Sequence, residues 1–273
     1  MSVAVIIPSF NRSVVLKRAL TSVFNQDCPA DEVIVVDDGS TDDTECMVKR
    51  CFPEVVYIYQ ENAGVSSARN TGIAASHADW ITFLDSDDEW LPNKLALQRD
   101  FINRHDGYWI CHTEEIWIRD GRRVNPMKKH AKTGGWIFQH CLPLCAMSPS
   151  SIMIHRHIFS ELGVFDEDLP ACEDYDLWLR ITARYPVLFI TDPLILKYGG
   201  HSDQLSRHFW GMDRFRIKAL EKIIAEPRLS EENRVAAINT LQEKARVYLQ
   251  GAQKRGKTDE VAHYQLLISQ YSS

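Results

Sequence analysis

Long apolar runs are missing from this chain, and none of its hydrophobic stretches is long enough to span a bilayer. Nothing at its start reads as a secretory leader. The expectation is therefore a cytoplasmic protein, peripheral at most at the inner face of the cell membrane. Basic excess is also missing: 31 lysines and arginines stand against 37 acidic residues, a net charge of −6. That balance excludes the broad positive field that nucleic acid selects, so no nucleic-acid partner is expected. A disulfide framework is absent too. The seven cysteines are odd in number and contain no Cys-x-x-Cys pair, which suits reduced thiols. Cys141 and Cys145 are spaced to share a helical face, but two thiols do not complete a zinc site. There is no low-complexity segment and no internal repeat. A length of 273 residues allows one large domain, or one domain with an appendage.

What the chain does have is an acidic turn at the end of an apolar run. Trp80-Ile-Thr-Phe-Leu reads as a buried strand and leads straight into Asp85-Ser-Asp87-Asp88. Burying an unpaired carboxylate is costly, so such a cluster faces solvent, a cation or a ligand. A divalent cation with oxygen ligands, Mg²⁺ or Mn²⁺, commonly arrives together with phosphates. The alternative is a solvated acidic turn, with Asp88 capping the helix that begins near Pro92.

The surrounding pattern is strand-helix alternation. Val3-Ala-Val-Ile-Ile7 and Val33-Ile-Val-Val36 are β-branched runs of the kind buried on both faces of a parallel sheet. Tyr57-Ile-Tyr59 is a third strand. Leu16, Ala19, Leu20, Val23 and Phe24 keep a helical period after the first strand. Ser40 and Asp43 stand in capping-box spacing after the second, and Ser66 or Ser67 can cap the helix after the third. Such alternation predicts an α/β fold with a doubly wound, mostly parallel sheet, flanking helices and right-handed crossovers. Ligands bind such sheets at the carboxyl ends of the strands. Those ends carry Asn11, Asp38, Asn62 and the pair Asp85 and Asp87.

Four segments taken in order resemble a known family. They are Val5-Ile-Ile-Pro-Ser-Phe-Asn-Arg12, Glu32 to Thr44 with its Asp-Asp-Gly-Ser, Glu61-Asn-Ala-Gly-Val-Ser-Ser-Ala-Arg-Asn-Thr-Gly72, and Phe83-Leu-Asp-Ser-Asp-Asp88. Together they are similar to family 2 glycosyltransferases, which have the GT-A fold, and the match covers about residues 1–205. A later segment, Glu173-Asp174-Tyr-Asp-Leu-Trp-Leu-Arg180, resembles the one that supplies the family's catalytic base. The resemblance implies a metal-dependent, inverting enzyme that uses a nucleotide-sugar donor, UDP-linked by expectation. It puts Asp87 on the divalent cation (Mn or Mg), and Asp85 against the donor's ribose or sugar. Asp38, at a solvent-facing strand end, would accept the imide N–H of uracil, while Asp37 orders the turn. Pro8 and Asn11 resemble the nucleotide-contacting edge, and Asn62 and Arg69 the segment that closes over base and ribose; for Arg69 a pairing role in the core stays open. Asp174 is the implied base, at a helix amino terminus where its charged form is favoured, and Glu173 organises it or the acceptor. His201, in Gly199-Gly-His-Ser, is a candidate for a further metal contact.

In the middle of the chain, Trp109-Ile110 and Ile116-Trp-Ile118 are strand-like, and Asp120-Gly121 signals a hairpin. Trp117, Trp136 and Phe138 are candidates for stacking on an acceptor sugar, with core filling as the alternative. Lys128-Lys129-His130 reads as a solvated run or a landing place for an anionic acceptor. Beyond about 210 the pattern is helical: Phe215 to Ile224, then Val235 to Tyr248 with Ser230 as cap, then a helix after Gly256 with Val261, Tyr264 and Leu267. The expected division is a GT-A domain over 1–209 and a helical extension over 210–273. The extension offers a surface for a homodimer or for a membrane protein. The expected partners are the nucleotide-sugar donor and a glycan, lipid-linked or other hydroxyl acceptor, in cell-surface polysaccharide or glycoconjugate synthesis. A sugar nucleotidyltransferase is the competing enzyme class, though it needs a glycine-rich basic loop after the first strand. A catalytically silent nucleotide-sugar-binding scaffold is the competing non-enzyme.

Overall fold

A computed structural model describes residues 1–125, 127–200, 209 and 211–271. Its first half alternates as the periodicity predicts: β1 (Val3–Ser9), α1 (Ser13–Phe24), β2 (Glu32–Asp37), α2 (Thr44–Cys51), β3 (Val56–Tyr59), α3 (Val65–Ala75) and β4 (Trp80–Phe83). Then come β5 (Glu89–Trp90), α4 (Lys94–Asn103), β6 (Ile110–Arg119), β7 (Arg122–Val124), α5 (Phe138–Cys141), β8 (Met153–His155), α6 (His157–Leu162), α7 (Glu173–Thr182) and β9 (Leu188–Gly199). Three helices close the chain: α8 (Asp213–Ile224), α9 (Glu231–Lys254) and α10 (Thr258–Gln270). Among the described residues no helix is long and apolar enough to cross a membrane, and all seven cysteines are free.

One nine-stranded sheet runs in the order β3-β2-β1-β4-β8-β6-β9-β5, with β7 paired to β6. The β3-β2-β1-β4 half is wholly parallel. The other half is mixed, because β8 lies antiparallel between β4 and β6, and β9 runs parallel to β6. β1 shows why its run is apolar without a break. Val3, Val5 and Ile7 join an apolar cluster with residues of α1, α2 and α4, while Ile6 joins the cluster on the opposite face. That second cluster takes in Trp178 and Ile181 of α7, Leu220 of α8, Leu241 of α9 and Leu267 of α10. The terminal helices therefore share one apolar core with α7 and the sheet.

Several local expectations hold. Asp120 and Gly121 both adopt positive φ, 49° and 71°, and turn β6 into β7 as a tight hairpin. Ser230 Oγ accepts the N–H of Asn233 and caps α9. Others are corrected. The start of α2 is held by Asp42, which accepts the Thr44 N–H at 3.0 Å, and not by a Ser40–Asp43 box. Gly64, not a serine, precedes α3, and Ser66 and Ser67 lie inside that helix. Asn93, not Asp88, stands at the start of α4. Phe138 is 3% exposed and belongs to the core, so it is not a stacking platform.

Candidate active site

The carboxyl ends of β1, β2 and β4 converge where the strand order reverses about β1, the usual ligand crevice of such sheets. Two loops are stitched together there. Asn11 sits at φ 51°, a region asparagine tolerates, and its Oδ1 accepts the Thr41 N–H at 2.8 Å. Its own N–H donates to Ser40 Oγ at 2.8 Å. Asp37 orders the turn as expected, accepting the Ser40 N–H at 2.7 Å and the Tyr57 hydroxyl. Gly39 has φ 90°, and a Cβ there would meet Asn62 N at 2.9 Å, so the two loops approach too closely for a side chain.

Asp38 departs from the expectation of a solvent-facing acceptor. It is 4% exposed. Its carboxylate already accepts Gln60 Nε2 at 2.7 Å, Ala63 N at 2.9 Å and Gly64 N at 2.8 Å. Asn62 Nδ2 donates back to the Asp38 carbonyl at 2.8 Å. The residue clasps the loop between β3 and α3 against the end of β2, because two backbone N–H groups and an amide find a charged acceptor there.

The three carboxylates of the acidic turn separate into three roles. Asp88 is buried; it accepts Ser150 Oγ at 2.7 Å and the Tyr198 N–H at 3.0 Å, tying the turn to β9. Burial and the adjacent Asp85 push its carboxyl well above the ordinary range. Asp87 pairs with Arg12 at 2.8 Å. Burial and Asp85 push its carboxyl up, and Arg12 offsets part of that rise. Asp85 accepts Arg69 Nη2 at 2.8 Å.

Arg69 is the structural centre of the site. It is 3% exposed, and its other arm donates to Glu173 at 2.6 Å, so one guanidinium bridges the acidic turn and the start of α7. Burial opposes its charge, but Asp85 and Glu173 outweigh that and raise its pKa. The pairing role left open for Arg69 is the one observed. Glu173 is buried as well; burial and Asp174 push its carboxyl up against the pull of Arg69. The helix amino terminus is shaped by Cys172 at φ 64°. Asp174 Oδ1 accepts the Tyr175 N–H at 2.7 Å, and Oδ2 accepts the Cys145 thiol at 3.1 Å.

A cavity of about 770 Å³ opens over these strand ends. Pro8, Asn11, Asp38, Asn62, Arg69, Asp85 and Asp87 all line it, so seven sequence-selected residues meet on one wall. Glu173 reaches that wall through Arg69, and Asp174 is its chain neighbour; neither is part of the lining itself. His201 lies outside the described residues. The lining also includes residues that sequence reasoning did not single out. Phe10 is 46% exposed at the cavity although it is aromatic, and it follows β1 where no apolar period asks for it. Ser9 carries a buried hydroxyl, as does Ser66, which the sequence offered only as a helix cap, and neither has a hydrogen-bond partner among the described residues. Lys197 interrupts the apolar run Leu194-Ile-Leu196, a signal visible in the sequence.

The donor set suits a hard divalent cation. Asp85 and Asp87 offer carboxylate oxygens at the cavity, with side chains 28% and 15% exposed. No group of three or more His, Cys, Asp or Glu side chains that could hold a metal ion exists among the described residues. Mg²⁺ and Mn²⁺ do not need one when a bound phosphate completes the shell, since one or two carboxylates suffice.

The family model described as "Glycosyl transferase family 2" matches residues 4–162, more than half of the chain. The chain belongs to glycosyltransferase family 2. A second model, "Glycosyltransferase like family 2", matches residues 135–232. The "Putative teichuronic acid biosynthesis glycosyltransferase TuaG" of Bacillus subtilis is 37% identical over 215 residues, 76% of this chain and 82% of that protein. An "Uncharacterized glycosyltransferase" of Rickettsia bellii is 34% identical over 185 residues, 67% of this chain but 26% of its own length. The chain thus spans only about a quarter of that longer relative. Among solved structures, S. aureus TarS 1–349 in complex with UDP-GlcNAc superposes with a TM-score of 0.71 at 21% identity, over 89% of this chain and 71% of that one. The likeness fixes the fold as that of a GT-A glycosyltransferase.

Proposed function

We propose that this family 2 member transfers a sugar from a nucleotide-sugar donor, UDP-linked, to an acceptor hydroxyl with inversion at the anomeric carbon. The single observation that carries the reading is Arg69. It joins the acidic turn that would meet a donor diphosphate to the helix terminus that carries the candidate base. In this reading the nucleotide occupies the cavity of about 770 Å³, with the exposed Phe10 ring against the base and the Asn11 and Asn62 loops around it. Asp87, with Asp85 beside it, would hold the divalent cation; when bound, the cation supplies positive charge to the departing diphosphate. Asp174 accepts the proton of the acceptor hydroxyl as that oxygen attacks, and Glu173 keeps Arg69 and Asp174 in register. A single displacement of this kind inverts the anomeric centre. The Bacillus subtilis relative, named for teichuronic acid biosynthesis, supports a cell-surface polysaccharide as the setting. The loop after β1 contains no glycine and binds itself to the β2 loop through Asn11, which does not suit the triphosphate cradle of a nucleotidyltransferase.

Calorimetry with UDP tests the donor half. Mn²⁺ should tighten binding, and Asp87→Asn should remove most of that gain; equal affinity in Mn²⁺ and in chelator refutes the metal role. A transfer assay with a candidate glycan tests the chemical half. Asp174→Asn should lower turnover by about a hundred- to ten-thousand-fold, the range for losing acid–base catalysis, with UDP affinity unchanged. A product that retains the donor's anomeric configuration refutes the single displacement.

A further inference from the structure

We propose that Lys197 is the cation that receives the donor's diphosphate in the cavity, an inference that rests on the nucleotide-sugar reading above. Among the described residues the cavity wall carries five carboxylates, of Asp38, Asp85, Asp87, Asp88 and Glu167, against three cations. An entering nucleoside diphosphate adds further negative charge to that wall. Two of the cations are already engaged. Arg12 pairs with Asp87 at 2.8 Å, and Arg69 bridges Asp85 and Glu173. Lys197 is different. Its side chain is 36% exposed, and its ammonium donates no hydrogen bond to any described residue. Among the described residues its nearest carboxylate is Glu115, at 4.0 Å.

That carboxylate interacts with Lys197 through charge, but its closer partners are other groups. Glu115 lies on β6, where Trp117 stands opposite Lys197 on β9. One Glu115 oxygen accepts Trp117 Nε1 at 2.7 Å, and the other accepts Lys132 Nζ and Ser148 Oγ, both at 2.9 Å. The Lys132 side chain is 4% exposed, so Glu115 is neutralised within the protein by a cation that has no access to the cavity. Burial disfavours the Lys197 ammonium, but Glu115, Asp88 and Asp85 outweigh it and hold its pKa above the ordinary lysine value. β9 therefore places a charged, partly exposed lysine in the cavity wall beside the acidic turn. A compact ammonium with three donors suits a diphosphate whose two phosphates offer oxygens in several directions.

Binding of UDP, UMP and uridine to the full chain, measured by calorimetry with chelator and again with Mn²⁺, tests this. Lys197→Met should weaken UDP at least tenfold while changing uridine by less than twofold, because only the phosphates face the ammonium. Lys197→Gln should behave alike, and it covers the case in which the methionine variant fails to fold. The melting temperature of the folded variant should stay within about 2 °C of the wild type, since Glu115 keeps its other partners. UDP affinity within twofold of the wild type in either folded variant overturns the role of Lys197 and leaves the nucleotide site standing. Equal losses for uridine and UDP overturn it in favour of a purely structural lysine. Failure of the wild type itself to bind UDP overturns both the inference and the reading beneath it.

Discussion

Replacing Arg69 with methionine removes a guanidinium but keeps much of its apolar volume. Two carboxylates lose their partner at once: Glu173, whose side chain is 7% exposed, and Asp85, at 28%. Breaking a buried ion pair by deleting one member costs about 3–5 kcal/mol, because the surviving charge stays out of water. For a chain of this size each kcal/mol moves the melting temperature by about 2 °C, so a fall of about 6–10 °C is expected. The sign of the pH dependence follows from Glu173. Burial and Asp174 already raise its folded-state pKa, and Arg69 is the group that restrains the rise. Without Arg69 the pKa climbs further, so the folded variant takes up a proton at higher pH than the unfolded chain does. A raised carboxyl favours folding at low pH and opposes it at high pH. The deficit of Arg69→Met relative to wild type should therefore narrow between pH 8 and pH 5. Urea titrations at the two pH values measure it, and Arg69→Met combined with Glu173→Gln should recover part of the loss. A melting temperature within 2 °C of wild type, or a deficit that widens toward pH 5, would refute the bridge as the element holding turn and helix together.

Gly72→Ala should destabilise by about 1–3 kcal/mol, the range for overpacking: a Cβ there would lie 2.4 Å from Ile6 Cγ2, and Ile6 is fully buried in β1. An unchanged urea midpoint would mean that α3 can lift from the sheet at no cost. Lys94 is fully buried, donates to Gln98 Oε1 at 2.7 Å, and has its pKa lowered by burial to about 7. Between pH 7 and about 10.5 the unfolded chain binds a proton that the folded chain does not, so wild-type stability should rise with pH across that window. Lys94→Met lacks this contribution, and its stability advantage or deficit relative to wild type should shift in favour of wild type from pH 7 to pH 9. A difference that stays constant refutes the neutral lysine.

The order of elements and the edge at which polar chemistry collects are legible along the chain. Val3 to Ile7 and Val33 to Val36 are apolar without a break because both faces of β1 and β2 are covered, and that burial is readable from local composition. The hairpin at Asp120-Gly121 and the Ser230 cap were legible for the same reason, since each is satisfied by backbone within a few residues. The antiparallel insertion of β8 between β4 and β6 was not, because Met153–His155 is only three residues long and carries no period. Which polar groups meet depends on how distant segments pack. Arg69 and Glu173 are 104 residues apart, and Asp88 and Tyr198 are 110 apart. Asp38 looked open at its strand end until the loop from β3 folded back and filled its oxygens. That Lys197 faces a Glu115 already held by Lys132, Trp117 and Ser148 follows only from the packing of β6 against β9 and the loops beside them. Apolar burial leaves a periodic trace along the chain because each element must turn one face inward. A polar pair leaves none, because its energy depends on a partner that distant segments bring near and on the water they exclude.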